Sequence, residues 1–453
     1  MKLHLSKRRR GIIVISTLII LAIPFWSASA EPTSYESCFQ LQNLESSTAN
    51  ITIDYYAQGN PTPTSVSDTI AGDSSNTYCP LSAVSSGFDG SVVISSDKPV
   101  AAITNVTGGA AAWSAYDASY AGFTTASTTV NLPLLMNDNW GFDTWFNVQN
   151  AGGSGTANIT INYSDAVTVV DTIDLNQAIT LDQTTEGHAS GWVGAATITS
   201  DQPIVATVME LGPDTMPMLF GYNGFVGSSQ DPVMPLVMAN NWGFSTGIQV
   251  QNTGGSSTTI TLSYEPSLSG TACTQSKAIA AGSSETFALS AWDIADPNSD
   301  NDCVNGEMFV GSAAVTSNSA SMELVGIVNQ HNFSTNKGAA YGAFDPSMAT
   351  DTVVLPLIMD RNWGYNTGFN IMNVGTSSTD VSCTFSGTSY SVGPTTLAPS
   401  EALTDTQGNN ISDSYVGSAV CTATASGKII GVVNELLNTG TEDTFLVYEA
   451  FNK

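Results

Sequence analysis

The chain is predicted to be all-β, a tandem array of antiparallel sandwiches. Three observations carry that prediction: a long internal repeat, period-two alternation inside it, and turn chemistry between the alternating runs. The segment PLLMNDNWGFDTWFNVQN from Pro133 returns at Pro235 as PLVMANNWGFSTGIQVQN and at Pro356 as PLIMDRNWGYNTGFNIMN. A second marker closes each unit, with the aromatic pairs Tyr120/Phe123, Tyr222/Phe225, Tyr341/Phe344 and Tyr448/Phe451. Four copies of roughly 100 residues result, and a unit of that length can bury a core of its own.

Taken from the N-terminus, the first thirty residues stand outside the repeat. Lys7 to Arg10 precede an apolar run from Gly11 to Trp26, and Ala28-Ser29-Ala30 has the small-x-small pattern of a signal peptidase site. This predicts a signal peptide over 1–30, with an uncleaved N-terminal anchor as the alternative. No later stretch reaches the ~20 continuous apolar residues of a membrane helix. The repeats are then placed at 31–130, 131–231, 232–351 and 352–453.

Within each copy, apolar residues sit two apart: Ile51-Ile53-Tyr55, Ile159-Ile161-Tyr163, Ile260-Leu262-Tyr264 and Val381-Cys383-Phe385. That is the signature of half-buried antiparallel strands. A further strand opens at a repeated glycine, at Gly90, Gly194, Gly311 and Gly417, and another follows a turn, as in PVAAITN and PIVATVME. No window has a convincing helical period. About seven short strands per ~100 residues, spaced by Gly, Ser and Asn, indicate Ig-like sandwiches. Only nine to eleven residues separate Phe123, Phe225 and Phe344 from the next Pro-Leu-x-Met. Pro133 to Trp140 and its counterparts are therefore expected to pack on the preceding module, holding the four in a semi-rigid row.

Composition narrows the partners. Lys and Arg number 11 against 39 Asp and Glu, a formal charge of −28. Five of the basic residues fall in the leader, which leaves the mature chain still more acidic. Such a field repels nucleic acid and anionic lipid. The six cysteines fall in pairs within copies, and no C-x-x-C spacing suggests a thiolate metal site. In an exported chain the expected bridges are Cys38–Cys79, Cys273–Cys303 and Cys383–Cys421, each stabilising by ~3–4 kcal/mol.

The Asn-Trp-Gly segment, the ITIxY strand, the Gly-led strand ending in T-S-D-x-P and the closing Y-x-G-F together resemble tandem Ig-like repeats of proteins secreted by bacteria of the Chloroflexi type. The likeness covers nearly all of the mature chain. It implies an exported, Ig-like repeat protein, and it implies no particular activity.

Chemistry-bearing residues are few. Only His188 and His331 follow the leader, at non-equivalent positions best read as surface or loop histidines, and no cysteine is left as a nucleophile. Acids rarely recur: Glu210 and Glu435 align with each other, but with Val106 and Gln330 in the other copies. No catalytic residue is nominated. The repeated Asn139-Trp140, Asn241-Trp242 and Asn362-Trp363 are the candidate binding residues, tryptophan to stack on a sugar ring and asparagine to bond its hydroxyls. The competing reading is a tryptophan filling the seam between copies, which the flanking apolar residues favour.

The third copy carries an acidic insert in which Asp296, Asn298, Asp300, Asp302 and Glu307 occupy positions 1, 3, 5, 7 and 12. That spacing resembles a calcium loop. Asn301 replaces the usual glycine and no helices flank it, so a solvated acidic disulfide loop is the alternative; no other cofactor is implied. The resulting expectation is a non-enzymatic, secreted or cell-surface structural or adhesive protein. Its partners would be surface or matrix components, glycans, or further copies of itself. The alternative is an extracellular carbohydrate-binding protein that uses the Asn-Trp-Gly sites.

Overall fold

The computed structural model of the protein describes residues 35–108, 116–289, 300–319, 322–424, 426–437, 440 and 442–453; the expected signal peptide, 1–30, lies outside them. Among the described residues all regular secondary structure is strand apart from one 3-10 turn at Pro346–Met348. No described helix is long and apolar enough to cross a membrane.

The strands form four consecutive blocks, each with two antiparallel sheets face to face. In the third block one sheet runs Ser284–Ala288, Ser245–Asn252, Leu324–Asn332, Lys337–Gly342, and the other runs Val233–Ala239, Phe309–Ser317, Thr258–Ser269, Cys273–Ile279, Asp300–Asn301. The fourth block repeats this order without the acidic edge strand, and adds Phe451–Asn452 beside Thr352–Asp360. In the second, the 20-residue strand Trp192–Leu211 passes through both sheets and joins them. Alternation sets the faces: Ile159, Ile161 and Tyr163 are buried while Asn158 and Asn162 are exposed. The strand Ser127–Asn137 runs across the sequence boundary at 130/131 and pairs with Trp192–Leu211 of the second block.

One repeated residue explains why each copy closes identically. The asparagine ending the Gln-x-Gln-Asn type run is fully buried as Asn43, Asn150, Asn252 and Asn373. Each Nδ2 donates to at least two backbone carbonyls across the loop, as Asn252 does to Ser256 at 2.8 Å and Ile279 at 3.3 Å. Each Oδ1 accepts the amide two residues on, as from Gly254 at 3.0 Å. Asn252→Ala would strand these buried groups and is expected to cost about 3 kcal/mol. Chemical denaturation checks this, and a loss under about 1 kcal/mol would assign the pattern a lesser role.

The blocks do not form the expected row. They close into a ring, because the last strand of each inner sheet packs against its counterparts around a common axis. These axial strands are Tyr116–Ala121, Leu219–Asn223, Lys337–Gly342 and Phe445–Glu449. Close approach is possible because Ser119, Gly221 and Ala340 are small at matching positions. Ser119 donates to the Val447 carbonyl at 2.7 Å, joining the first and fourth blocks, and a Cβ on Gly221 would lie 3.1 Å from the Ser119 carbonyl. The first–fourth seam also holds Gln40 Nε2 to the Pro356 carbonyl at 3.0 Å and Tyr365 to Asp117 at 3.1 Å.

Pro-Leu-x-Met is tied within its own block, and the strand that carries it packs on the following block rather than on the preceding one that the sequence suggested. In the second, third and fourth blocks the closing tyrosine donates to the leucine carbonyl of the same block: Tyr222 to Leu134 at 2.6 Å, Tyr341 to Leu236 and Tyr448 to Leu357 at 2.5 Å. Both ends of the repeat are thus tied by one buried hydrogen bond.

Candidate binding site

The three Asn-Trp-Gly segments form identical two-residue hairpin loops. Asn139 N–H donates to the Phe142 carbonyl at 3.0 Å, and Phe142 N–H returns to the Asn139 carbonyl at 2.9 Å. The same pairs close Asn241/Phe244 and Asn362/Tyr365. Trp140, Trp242 and Trp363 have φ of 55°, 51° and 51°, and the glycines after them 82°, 88° and 89°. Positive φ at both central positions is the type I′ signature, which suits the strand twist and favours Asn-Gly. A tryptophan stands where asparagine is preferred.

Secondary contacts fix the turn. The asparagine side chain donates to the methionine sulfur three residues earlier, Asn241 to Met238 at 3.2 Å. The residue two beyond the glycine caps the amide before the turn: Asp143 to Asp138 at 2.6 Å, Ser245 to Asn240 at 3.3 Å, Asn366 to Arg361 at 3.0 Å. This accounts for the repeated Met-x-x-Asn-Trp-Gly spacing. The tryptophan rings themselves project into solvent, with relative exposures of 87%, 88% and 91%. They do not fill a sandwich or a seam, because the left-handed turn directs their Cβ away from the sheets.

Left-handed backbone costs a non-glycine residue roughly 1–2 kcal/mol, and an exposed ring offsets little of it. Trp242→Asn is therefore expected to raise stability by about 1 kcal/mol, asparagine tolerating this conformation. Thermal melting decides it, and a fall of similar size would restore a packing role.

All three turns lie at one end of the ring, against the hairpins that enter the axial strands. Asn332 Nδ2 donates to the Trp242 carbonyl at 3.3 Å, and a Cβ on Gly141 or Gly364 would meet Pro213 or Leu437. The aromatic after each glycine roots the turn on another block. Phe142 packs on Phe333 at 6.5 Å between ring centres, Phe244 on Phe445 at 5.2 Å, and Tyr365 bonds Asp117.

The titratable groups belong to the seams. At one register position Val106, Glu210, Gln330 and Glu435 each face the residue one step earlier in the next block. Val106 and Met209 share an apolar cluster. Asn329 donates to Glu210 at 2.6 Å, Gln330 and Asn434 exchange hydrogen bonds at 3.0 and 3.3 Å, and Asn105 bonds Glu435. Four seams follow one rule, three polar and one apolar. Burial pushes both Glu210 and Glu435 up to about 8. A proton on Glu210 Oε1 would serve the buried, otherwise unpartnered Asn329 Oδ1, copying the Gln330–Asn434 pair. Asp117, buried against Thr107 and Tyr365, is raised to about 6 by burial.

At the axis, Asp443 accepts amides from two other blocks, Leu219 at 2.7 Å and Gly338 at 2.9 Å. Lys337 beside it donates to Thr444 at 2.7 Å and to the Glu442 carbonyl.

The histidines are not exposed loop residues. His188 is buried, stacked on Trp192 with centroids 3.9 Å apart and 2.8 Å from Asp165. His331 stacks on Phe333 at 4.0 Å, and burial pulls its pKa down to about 4. They sit in different blocks.

Disulfides join Cys38–Cys79, Cys273–Cys303 and Cys383–Cys421. In the acidic insert, Asp296 and Asn298 lie outside the described residues. Asp300 begins a two-residue strand opposite Ser276, Asp302 accepts from the Thr274 amide at 2.5 Å, and Glu307 accepts from Thr271 at 2.9 Å. Asp302 lies beside Cys273 and Cys303, whose sulfurs are bonded to each other. Two shallow surface depressions lie over seams, one holding Asp73, Ser386 and Lys453, the other Asn131, Thr197 and Glu323. Neither contains a histidine. No protein-family model matches the chain, nor does any curated protein or solved structure, so the chemistry rests on these residues.

Proposed function

We propose that the mature chain is an exported, non-enzymatic adhesive protein: four Ig-like sandwiches closed into a rigid ring that presents three tryptophan turns at one end. The observation that carries this reading is the threefold repetition of a bulky apolar ring, almost wholly exposed, on a backbone conformation that disfavours it. Strain repeated at an exposed residue is consistent with binding rather than folding. The perturbed acids are engaged with neutral partners inside seams, Glu210 with Asn329, Glu435 with Asn105 and Asp117 with Tyr365, where they are accounted for as packing groups. Three disulfides suit an oxidising compartment, and the leader pattern in the sequence suits export to the cell surface or beyond.

The purified mature chain is expected to attach to cell-surface or matrix material and to show no turnover on polysaccharide, peptide or ester substrates. Combining Trp140→Asn, Trp242→Asn and Trp363→Asn should abolish attachment without lowering the melting temperature. Turnover that disappears on changing one Asp or Glu would sink the non-enzymatic reading; attachment unaffected by the triple variant would sink the adhesive one.

A further inference from the structure

The three turns also constrain what they hold. Each tryptophan stands alone on its loop, flanked by polar residues such as Asp138, Asn139 and Asn240, with the neighbouring Phe142 or Phe244 tucked beneath. A protein partner would require a contiguous apolar core, which a single ring does not provide. The surroundings also disfavour an anionic ligand. The one cation at these turns, Arg361, is occupied by Asp360 at 2.8 Å, Asp413 at 2.6 Å and Asn409 at 2.8 Å. With a net charge of −28 on the whole chain, anionic lipid and acidic polymers are repelled.

Three identical heads held at fixed separations suit a ligand that itself repeats, since linked contacts multiply. A flat, polarisable ring matches the axial C–H face of a pyranose, and polar turn residues beside it match the equatorial hydroxyls. On these grounds, and resting on the adhesive reading above, we propose that Trp140, Trp242 and Trp363 stack on the sugar rings of an uncharged polysaccharide, one chain or several chains bridging the three turns.

The test uses the full mature, disulfide-bonded chain. Calorimetric titration with cellohexaose, maltoheptaose and soluble mannan is paired with co-sedimentation on insoluble cellulose, for the parent and for Trp140→Asn, Trp242→Asn and Trp363→Asn singly and together. At least one neutral glycan is expected to bind. Each single variant should lower affinity for the polymer about tenfold and the triple variant by at least about a hundredfold, as for linked sites, with no loss of melting temperature. Binding to none of the neutral glycans, or equal binding by the triple variant, overturns the glycan assignment. Tryptophan-dependent cell attachment without glycan binding would leave adhesion standing and overturn only the ligand class. Capture of a proline-rich peptide in place of glycan would do the same.

Discussion

Glu210→Gln and Glu435→Gln are each expected to stabilise the protein by about 2–4 kcal/mol at pH 8, and to flatten its stability between pH 4.5 and 8. Below pH 4.5 both the folded and the unfolded chain hold these protons, so the acids bring no penalty. As pH rises further the unfolded chain releases them, while the buried carboxyls keep theirs up to about 8. Stability therefore falls through that window, by about 1.4 kcal/mol per pH unit for each group, and levels off above it. Asp117 adds to the fall up to about pH 6. The third seam shows that glutamine fits, because Gln330 and Asn434 already exchange two hydrogen bonds at the equivalent place. The reciprocal variant Gln330→Glu should introduce a slope where none existed. Melting curves from pH 4.5 to 9 are the measurement, and parallel profiles for parent and Gln variants would refute a neutral carboxyl in the seams.

Removing residues 352–453 is expected to destabilise the three remaining blocks together, by at least about 5 kcal/mol. In a row only the third module, the neighbour of the fourth, would register the loss. In the ring, the cut removes Val432, Phe445 and Val447 from the third block's core cluster, and uncovers Ile103 and Ala121 of the first. Large apolar side chains fully buried are worth about 1.5–3 kcal/mol each. It also removes Asp443, leaving the Leu219 and Gly338 amides unpaired and Lys337 without its partners. Calorimetry of residues 31–351 against residues 31–453 decides between the two arrangements. Unchanged transitions for the first three blocks would refute closure.

The third–fourth seam shows how local repeats become a ring. Ser312 donates to the Ser400 carbonyl at 2.7 Å, and Ser91 makes the same contact to Asn176 between the first and second blocks at 2.5 Å. Because equivalent residues meet at these two seams, and the position of Val106, Glu210, Gln330 and Glu435 recurs at all four, each block turns by a similar step, and the fourth returns to the first.

Strand positions such as Ile260-Leu262-Tyr264, the cysteine pairs and the closing tyrosines were legible from the sequence alone. Alternation and turn residues report the inside and outside of a sheet within a few neighbours, and that information is local. The turn at Asn241-Trp242-Gly243 was half legible. A glycine in a two-residue gap between alternating runs signals a type I′ hairpin, and that would have exposed the tryptophan, but its apolar character argued for burial. The seam rule was present in the register of Val106, Glu210, Gln330 and Glu435, where it read as the failure of acids to recur. Only the tertiary structure showed that each residue faces a partner one block away, over 90 positions distant in sequence, so that the substitutions are matched pairs. Ring closure was invisible for the same reason: a periodic sequence determines each module and its strand faces, whereas the angle between modules is set by side chains that meet only after every module has folded.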